Sequence, residues 1–247
     1  MSSPTRTAVL APEPYRILSG SALKLLAIIS MLVDHTTKRI LVNYPEFVRP
    51  LYTFNNKPVS WALLFESFGR LAFPIFCFLL VEGFVYTHDR RRYGINLALF
   101  AILSEVPFDL CRKLTPIDIT YQNVFFTLLL GYLGLCALEN LKDQTALRAI
   151  CVIGLAIASM GLLCDYGPRG YALILILYAL RHDAVVKTAL GCCVTLATWR
   201  AGLAFIPLNL YNGKRGFVHG PVLKYAFYAF YLLHLLVLWQ LRLRLGV

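Results

Sequence analysis

Two basic residues, Lys24 and His35, stand eleven positions apart in a largely apolar run. On an α-helix that spacing makes about three turns and roughly 16 Å of rise, and it returns to the same face. An ammonium at one end of such a line can hold phosphate, while an imidazole at the other works as a general base or a nucleophile. The separation suits a molecule with a phosphorylated head and a long thin arm ending in its reactive group, as acetyl-CoA has. Asp34 precedes His35, but adjacent helical side chains point about 100° apart, so it is poorly placed to orient the ring. Asp34 is better suited to pair with Arg70 or to structure the helix end. An acid from another helix, Glu105 or Asp109, could equally orient the imidazole.

A second group of residues reads Phe68-Gly69-Arg70-Leu71-Ala72-Phe73-Pro74-Ile75-Phe76. Pro74 has no N–H, so it leaves the Arg70 carbonyl without a helical partner and open to a ligand or a water. Gly69 admits a neighbouring helix or a ligand at close range. An arginine beside such a kink reads as the wall of a site. The plainer alternative is a packing kink in which Glu66, four residues earlier, neutralises Arg70. Glu82, Arg200 and His234 also fall in apolar stretches. Charge at the centre of a bilayer costs about 2.5–3.5 kcal/mol, so together these residues imply an internal polar cavity. His234 lies among Tyr225, Phe227, Tyr228, Phe230 and Tyr231, where either a structural hydrogen bond or a catalytic role fits. His88, His182 and His219 read as surface. The seven cysteines show no zinc spacing and read as packing thiols, so no metal site is expected.

The elements that must position these residues follow from composition. The 247 residues are 58% hydrophobic and 15% charged, against about 45–50% and 25% in soluble globular proteins. The expected fold class is all-α, a polytopic integral membrane helical bundle of about eight transmembrane helices. The spans fall at roughly 22–42, 60–87, 93–110, 122–141, 146–164, 168–181, 185–207 and 222–242, the sixth short enough to be tilted or re-entrant. Residues 1–20 read as a flexible N-terminal arm and 21–247 as a single transmembrane domain. The first apolar run ends in Asp34-His35 without a small-residue cleavage site, so no signal peptide is expected. A net charge of +11 without a soluble basic face excludes a nucleic-acid partner and points to anionic lipid or an anionic site. Loop charges are nearly balanced between the two faces, and Arg90-Arg91-Arg92 tips the orientation towards an inside N-terminus.

Five motifs occur in order: Lys24-x10-His35 with Asp34-His35, Gly69-Arg70-x2-Phe73-Pro74-x-Phe76, Asn123-Val124-x-Phe126, Tyr166-Gly167-x2-Gly170 and Phe230-Tyr231-x2-His234-Leu235. With them the chain from residue 20 onward resembles the TraX family of membrane acetyltransferases. The resemblance implies a multi-pass inner-membrane enzyme that uses acetyl-CoA. The founding member acetylates the N-terminus of a pilin subunit. The Lys/Arg-x10-His pattern is also similar to that of broader transmembrane acyltransferases acting on glycans. By that likeness His35 is the catalytic histidine, with Asp34 and Arg70 beside it, Lys24, Arg70, Asn123, Tyr166 and His234 surround acetyl-CoA, and Arg70 or Asn123 is the donor to a developing oxyanion. The partners implied are acetyl-CoA, an acceptor peptide or glycan, and membrane lipids. The oligomeric state is left open, a homodimer included. Two other readings stand beside this one: a small proton-coupled transporter using Asp34, His35, Glu105 and His234 as a relay, and a pilus-assembly or scaffolding membrane protein.

Overall fold

The computed structural model describes residues 15–218 and 220–247; the first fourteen residues of the expected arm, and His219, lie outside the described residues. The described chain is mostly helical. Among the described residues, three stretches are long and apolar enough to cross a membrane: Trp61–Tyr86, Arg90–Lys113 and Tyr225–Leu245.

Helix α1 (Gly20–Arg39) starts where Ser19 accepts a hydrogen bond from the Ala22 N–H at 3.2 Å, and it ends in Lys38 and Arg39, whose charges suit the carbonyl end of a helix. A short helix, α2 (Pro45–Val48), leads to a two-stranded antiparallel hairpin, β1 (Tyr52–Phe54) and β2 (Lys57–Val59). Asn55 and Asn56 both take positive φ there, as a tight hairpin turn of this hand requires. This small sheet is an addition to the all-α architecture expected from composition.

The expected second span is two helices, α3 (Trp61–Gly69) and α4 (Ala72–Tyr86), separated at Arg70-Leu71. Pro74 is the physical cause, since it cannot donate back to Arg70. Helices α5 (Arg90–Lys113), α6 (Val124–Asn140), α7 (Thr145–Gly161) and α8 (Gly167–Ala179) follow the third to sixth expected spans.

The seventh expected span is different. Helix α9 (Ala184–Val194) stops after eleven residues, and a 3-10 segment (Leu196–Ala204) and α10 (Phe205–Asn209) bring the chain back. Asn209 donates to Thr188 at 3.0 Å. A single straight helix would hold those residues about 30 Å apart. The segment therefore doubles back on itself rather than running through as one helix. Thr195 contributes to the break, because its hydroxyl donates to the Gly191 carbonyl at 3.1 Å.

Helix α11 (Gly220–Leu245) packs chiefly along α5. The start of α1 is tied to the segment before α11, through Gly20 N–H to Lys214 O at 2.8 Å and Ser21 N–H to Arg215 O at 2.9 Å. At the other end, Arg242 donates to the Cys111 carbonyl at 2.8 Å, which places the carboxyl ends of α5 and α11 together. The core between them is built from α1, α4, α5, α6, α8 and α11. Ile150, Ile153, Ile157 and Met160 of α7 face outward, an apolar belt that suits a lipid environment.

Candidate functional site

A cavity of about 610 Å³ runs beside α1. One end is polar, with Lys24, Glu82, His88 and Arg215 around it; the other is apolar and aromatic, with Met31, Phe125 and Tyr231. Lys24 and Met31, two turns apart on α1, both line it, and His35 occupies the next turn of the same helix face. Lys24 lies over the ring of Phe227 at 5.7 Å, and Tyr211 donates to Glu82 at 2.9 Å, so neither Lys24 nor Glu82 is loose. The Arg90-Arg91-Arg92 run opens α5 just after Thr87 and His88, which line the same end.

Beyond the deep end lies a pair of histidines. His35 Nδ1 is 2.7 Å from His234 Nε2, and His234 Nδ1 is 2.8 Å from the Phe230 carbonyl oxygen. The two rings are parallel within 4° with centroids 5.0 Å apart. With the two nitrogens so close, the rings meet edge to edge in a common plane, as an N–H···N bond requires. Tyr231, which lines the cavity, touches both rings edge-on, at 6.4 Å from His35 and 5.6 Å from His234. His234 is thus the partner of His35. The acids expected to orient the imidazole are employed elsewhere. Asp109 accepts from the Asp118 N–H at 2.7 Å, and Glu105 accepts from the backbone N–H and side-chain amide of Asn123.

Asp34 forms an ion pair with Lys38, one turn on, and leaves its Oδ1 without a hydrogen-bond partner among the described residues. It sits where α1 crosses α3. A β-carbon at Gly69 would lie only 2.9 Å from Asp34 Cα, so the glycine sets how closely these helices approach. Arg70 does not close the expected ion pair with Asp34 or Glu66, although both charges lie in its range. It faces the Tyr166 hydroxyl instead.

Tyr166 adopts a left-handed φ of 63°, which a side chain other than glycine takes only under constraint. The constraint is visible: its ring stacks on Phe73 at 3.6 Å, and Thr127 donates to the neighbouring Asp165 carbonyl. Gly170 makes room, since a β-carbon there would lie 2.6 Å from Phe73 and 2.8 Å from Thr127. Two motifs distant in sequence, around Arg70 and around Tyr166, therefore form one wall.

Asn123 does not present a donor to this space. It caps α6, its Oδ1 accepting from the Phe125 N–H at 2.9 Å, while its side-chain amide donates to the Ala101 carbonyl at 2.8 Å and to Glu105. Fully buried, it is a structural hub rather than the oxyanion donor expected. The residues that sequence reasoning missed are Lys38, Tyr121, Asp165 and Arg215. Asp165 accepts from the Tyr121 hydroxyl at 2.6 Å and stands next to the motif tyrosine, inside a stretch that reads only as a helix breaker.

With this geometry in view, comparison with known proteins is informative. Residues 19–242 match the family described as TraX protein. The chain belongs to the TraX family. The five ordered motifs thus pointed to the right family, and this TraX-family chain also resembles an individual protein. It is 28% identical over 249 residues to a protein described as "Probable fimbrial assembly protein FimC, serogroup H1" from Dichelobacter nodosus, with 89% of this chain and 94% of the relative covered. No solved structure matches the chain.

Proposed function

We propose that this TraX-family protein is a multi-pass inner-membrane acetyltransferase that moves an acetyl group from acetyl-CoA to an acceptor amine or hydroxyl. The observation that carries this reading is the line Lys24–Met31–His35: a cation at one end of a cavity, an apolar passage, and an imidazole one turn beyond its floor. The polar end offers Lys24 and Arg215 to the phosphates, and the aromatic passage accommodates a narrow arm. The thioester then arrives next to Tyr231 and the histidine pair.

In the reaction, His35 takes the proton from the acceptor as its nitrogen or oxygen attacks the thioester carbonyl carbon. The new C–N or C–O bond forms, the C–S bond breaks, and His35 returns its proton to the leaving thiolate. A two-step variant passes the acetyl group through His35 itself. Arg70, hydrogen-bonded to Tyr166, is the cation available to the developing oxyanion. The fimbrial role named for the Dichelobacter nodosus relative makes a pilin-like peptide N-terminus the acceptor we favour over a glycan.

The test is transfer of radiolabelled acetyl from acetyl-CoA by the purified protein in nanodiscs, with membrane extract as acceptor. The reading requires label in a peptide or glycan product, lost in His35→Ala while folding is retained. Full transfer by that variant refutes it, and the absence of acetyl-CoA binding favours a transporter or scaffold.

A further inference from the structure

We infer that His234 is a positioning residue: it fixes His35 as the Nδ1–H tautomer and so leaves His35 Nε2 as the nitrogen with the free electron pair. One acceptor beside this pair cannot change its role. The Phe230 carbonyl oxygen, one turn earlier on α11, can only accept, and it lies 2.8 Å from His234 Nδ1. That nitrogen therefore carries a proton. In a neutral ring the other nitrogen of His234, Nε2, then has the lone pair. It lies 2.7 Å from His35 Nδ1, in the plane of both rings, so His35 Nδ1 must donate. Once Nδ1 holds the proton of a neutral His35, its Nε2 is bare. Free histidine in water prefers the opposite tautomer, so α11 imposes this one on α1.

The arrangement does the work of the acid in a Ser-His-Asp triad without placing a charge in the bundle. It also explains why Asp34, adjacent in sequence and paired with Lys38, is not needed for orientation. When His35 Nε2 gains a proton, the Nδ1–H bond to His234 becomes charge-assisted and strengthens. Tyr231, edge-on to both rings, keeps the pair from turning out of plane. The catalytic consequence rests on the acetyltransferase reading above; the tautomer itself does not.

The experiment is nitrogen NMR of the full chain in nanodiscs with ¹⁵N-labelled histidine, near neutral pH and with no substrate present. His35 signals are assigned by their loss in His35→Ala. The expected spectrum shows a protonated Nδ1 and an unprotonated Nε2 for His35. His234→Phe should convert His35 to the Nε2–H form. His234→Gln should preserve the original form, because its carboxamide oxygen accepts from His35 Nδ1. Acetyl transfer should fall about 10²–10⁴-fold in kcat for His234→Phe, recover substantially in His234→Gln, and leave KM for acetyl-CoA within about threefold. An Nε2–H His35 in the unaltered protein overturns the inference, as does a His35 spectrum indifferent to His234→Phe. If the Phe variant fails to fold, the unaltered protein and the Gln variant still decide. A chain that transfers no acetyl at all but shows the expected nitrogens would refute the function and uphold the tautomer.

Discussion

Asn123→Ala is the substitution whose cost can be worked most fully from the structure. It removes the cap on α6, worth about 1 kcal/mol, together with the hydrogen bond from Asn123 to Ala101, worth about another 1 kcal/mol. It also strips Glu105 of a side-chain donor, and hydrogen bonds to charged groups contribute about 1.5–3 kcal/mol. Glu105 keeps the Asn123 backbone N–H at 3.2 Å, which limits the loss. The expected destabilisation is about 3–5 kcal/mol, a large part of the margin of a typical protein. Thermal melting in a fixed detergent, followed by tryptophan fluorescence, measures it. Asn123→Asp sharpens the test: it retains a capping oxygen but sets a second carboxylate against Glu105. Near neutral pH it should melt at least as low as the alanine variant, and adding Glu105→Gln should restore part of the loss. A variant Asn123→Ala that melts within about 1 kcal/mol of the parent yet loses acetyl transfer would refute the structural role and return Asn123 to the oxyanion.

Three further outcomes follow from the same packing. Gly69→Ala drives a methyl group into Asp34 and should cost about 1–3 kcal/mol by melting, because the obstacle includes backbone rather than a flexible tip; an unchanged melt would contradict the α1–α3 contact. Lys24→Ala should raise KM for acetyl-CoA about ten- to a hundredfold while kcat stays near the parent value, and equal loss in both would move Lys24 from binding to chemistry. The hydrogen bond from Lys113, with those of Thr120, holds the Asp118 carboxyl well below the ordinary carboxylate range. Its folded value is the lower one, so its contribution is complete above the unfolded value of about 3.9 and disappears as pH falls from there through the folded value. Hydrogen exchange in loop 114–123 should accelerate over that acid window, less steeply in Asp118→Asn and at high salt; a window at neutral pH would refute the assignment.

The parts of the site that were legible in the sequence share one property: they depend on spacing along a single helix. Lys24 and His35 lie on one face because eleven residues close three turns, and no other element is needed to know it. The break at Arg70 was half legible, since Pro74 announces a lost hydrogen bond, but not whether the helix bends or ends. The histidine pair was not legible, because its two members are 199 positions apart and each is an ordinary residue in its own helix. Asn123 misled for a related reason: an amide beside a buried acid looks like a free donor until Glu105 and Ala101 claim both of its N–H groups. The return of the chain after Val194 was hidden by composition, as an apolar stretch of the right length carries no mark of a 3-10 segment.

For the multi-pass enzyme proposed above, that return changes the parity of the bundle. A through-running segment would bring the two termini of an eight-span bundle to the same side. In such a bundle a segment that turns back would add no crossing, and the contacts agree: the start of α1 adjoins residues 214–215, whereas Arg242 near the end of α11 reaches the far end of α5. On the proposed multi-pass topology, reporters fused to the two ends of this protein should light up in different compartments.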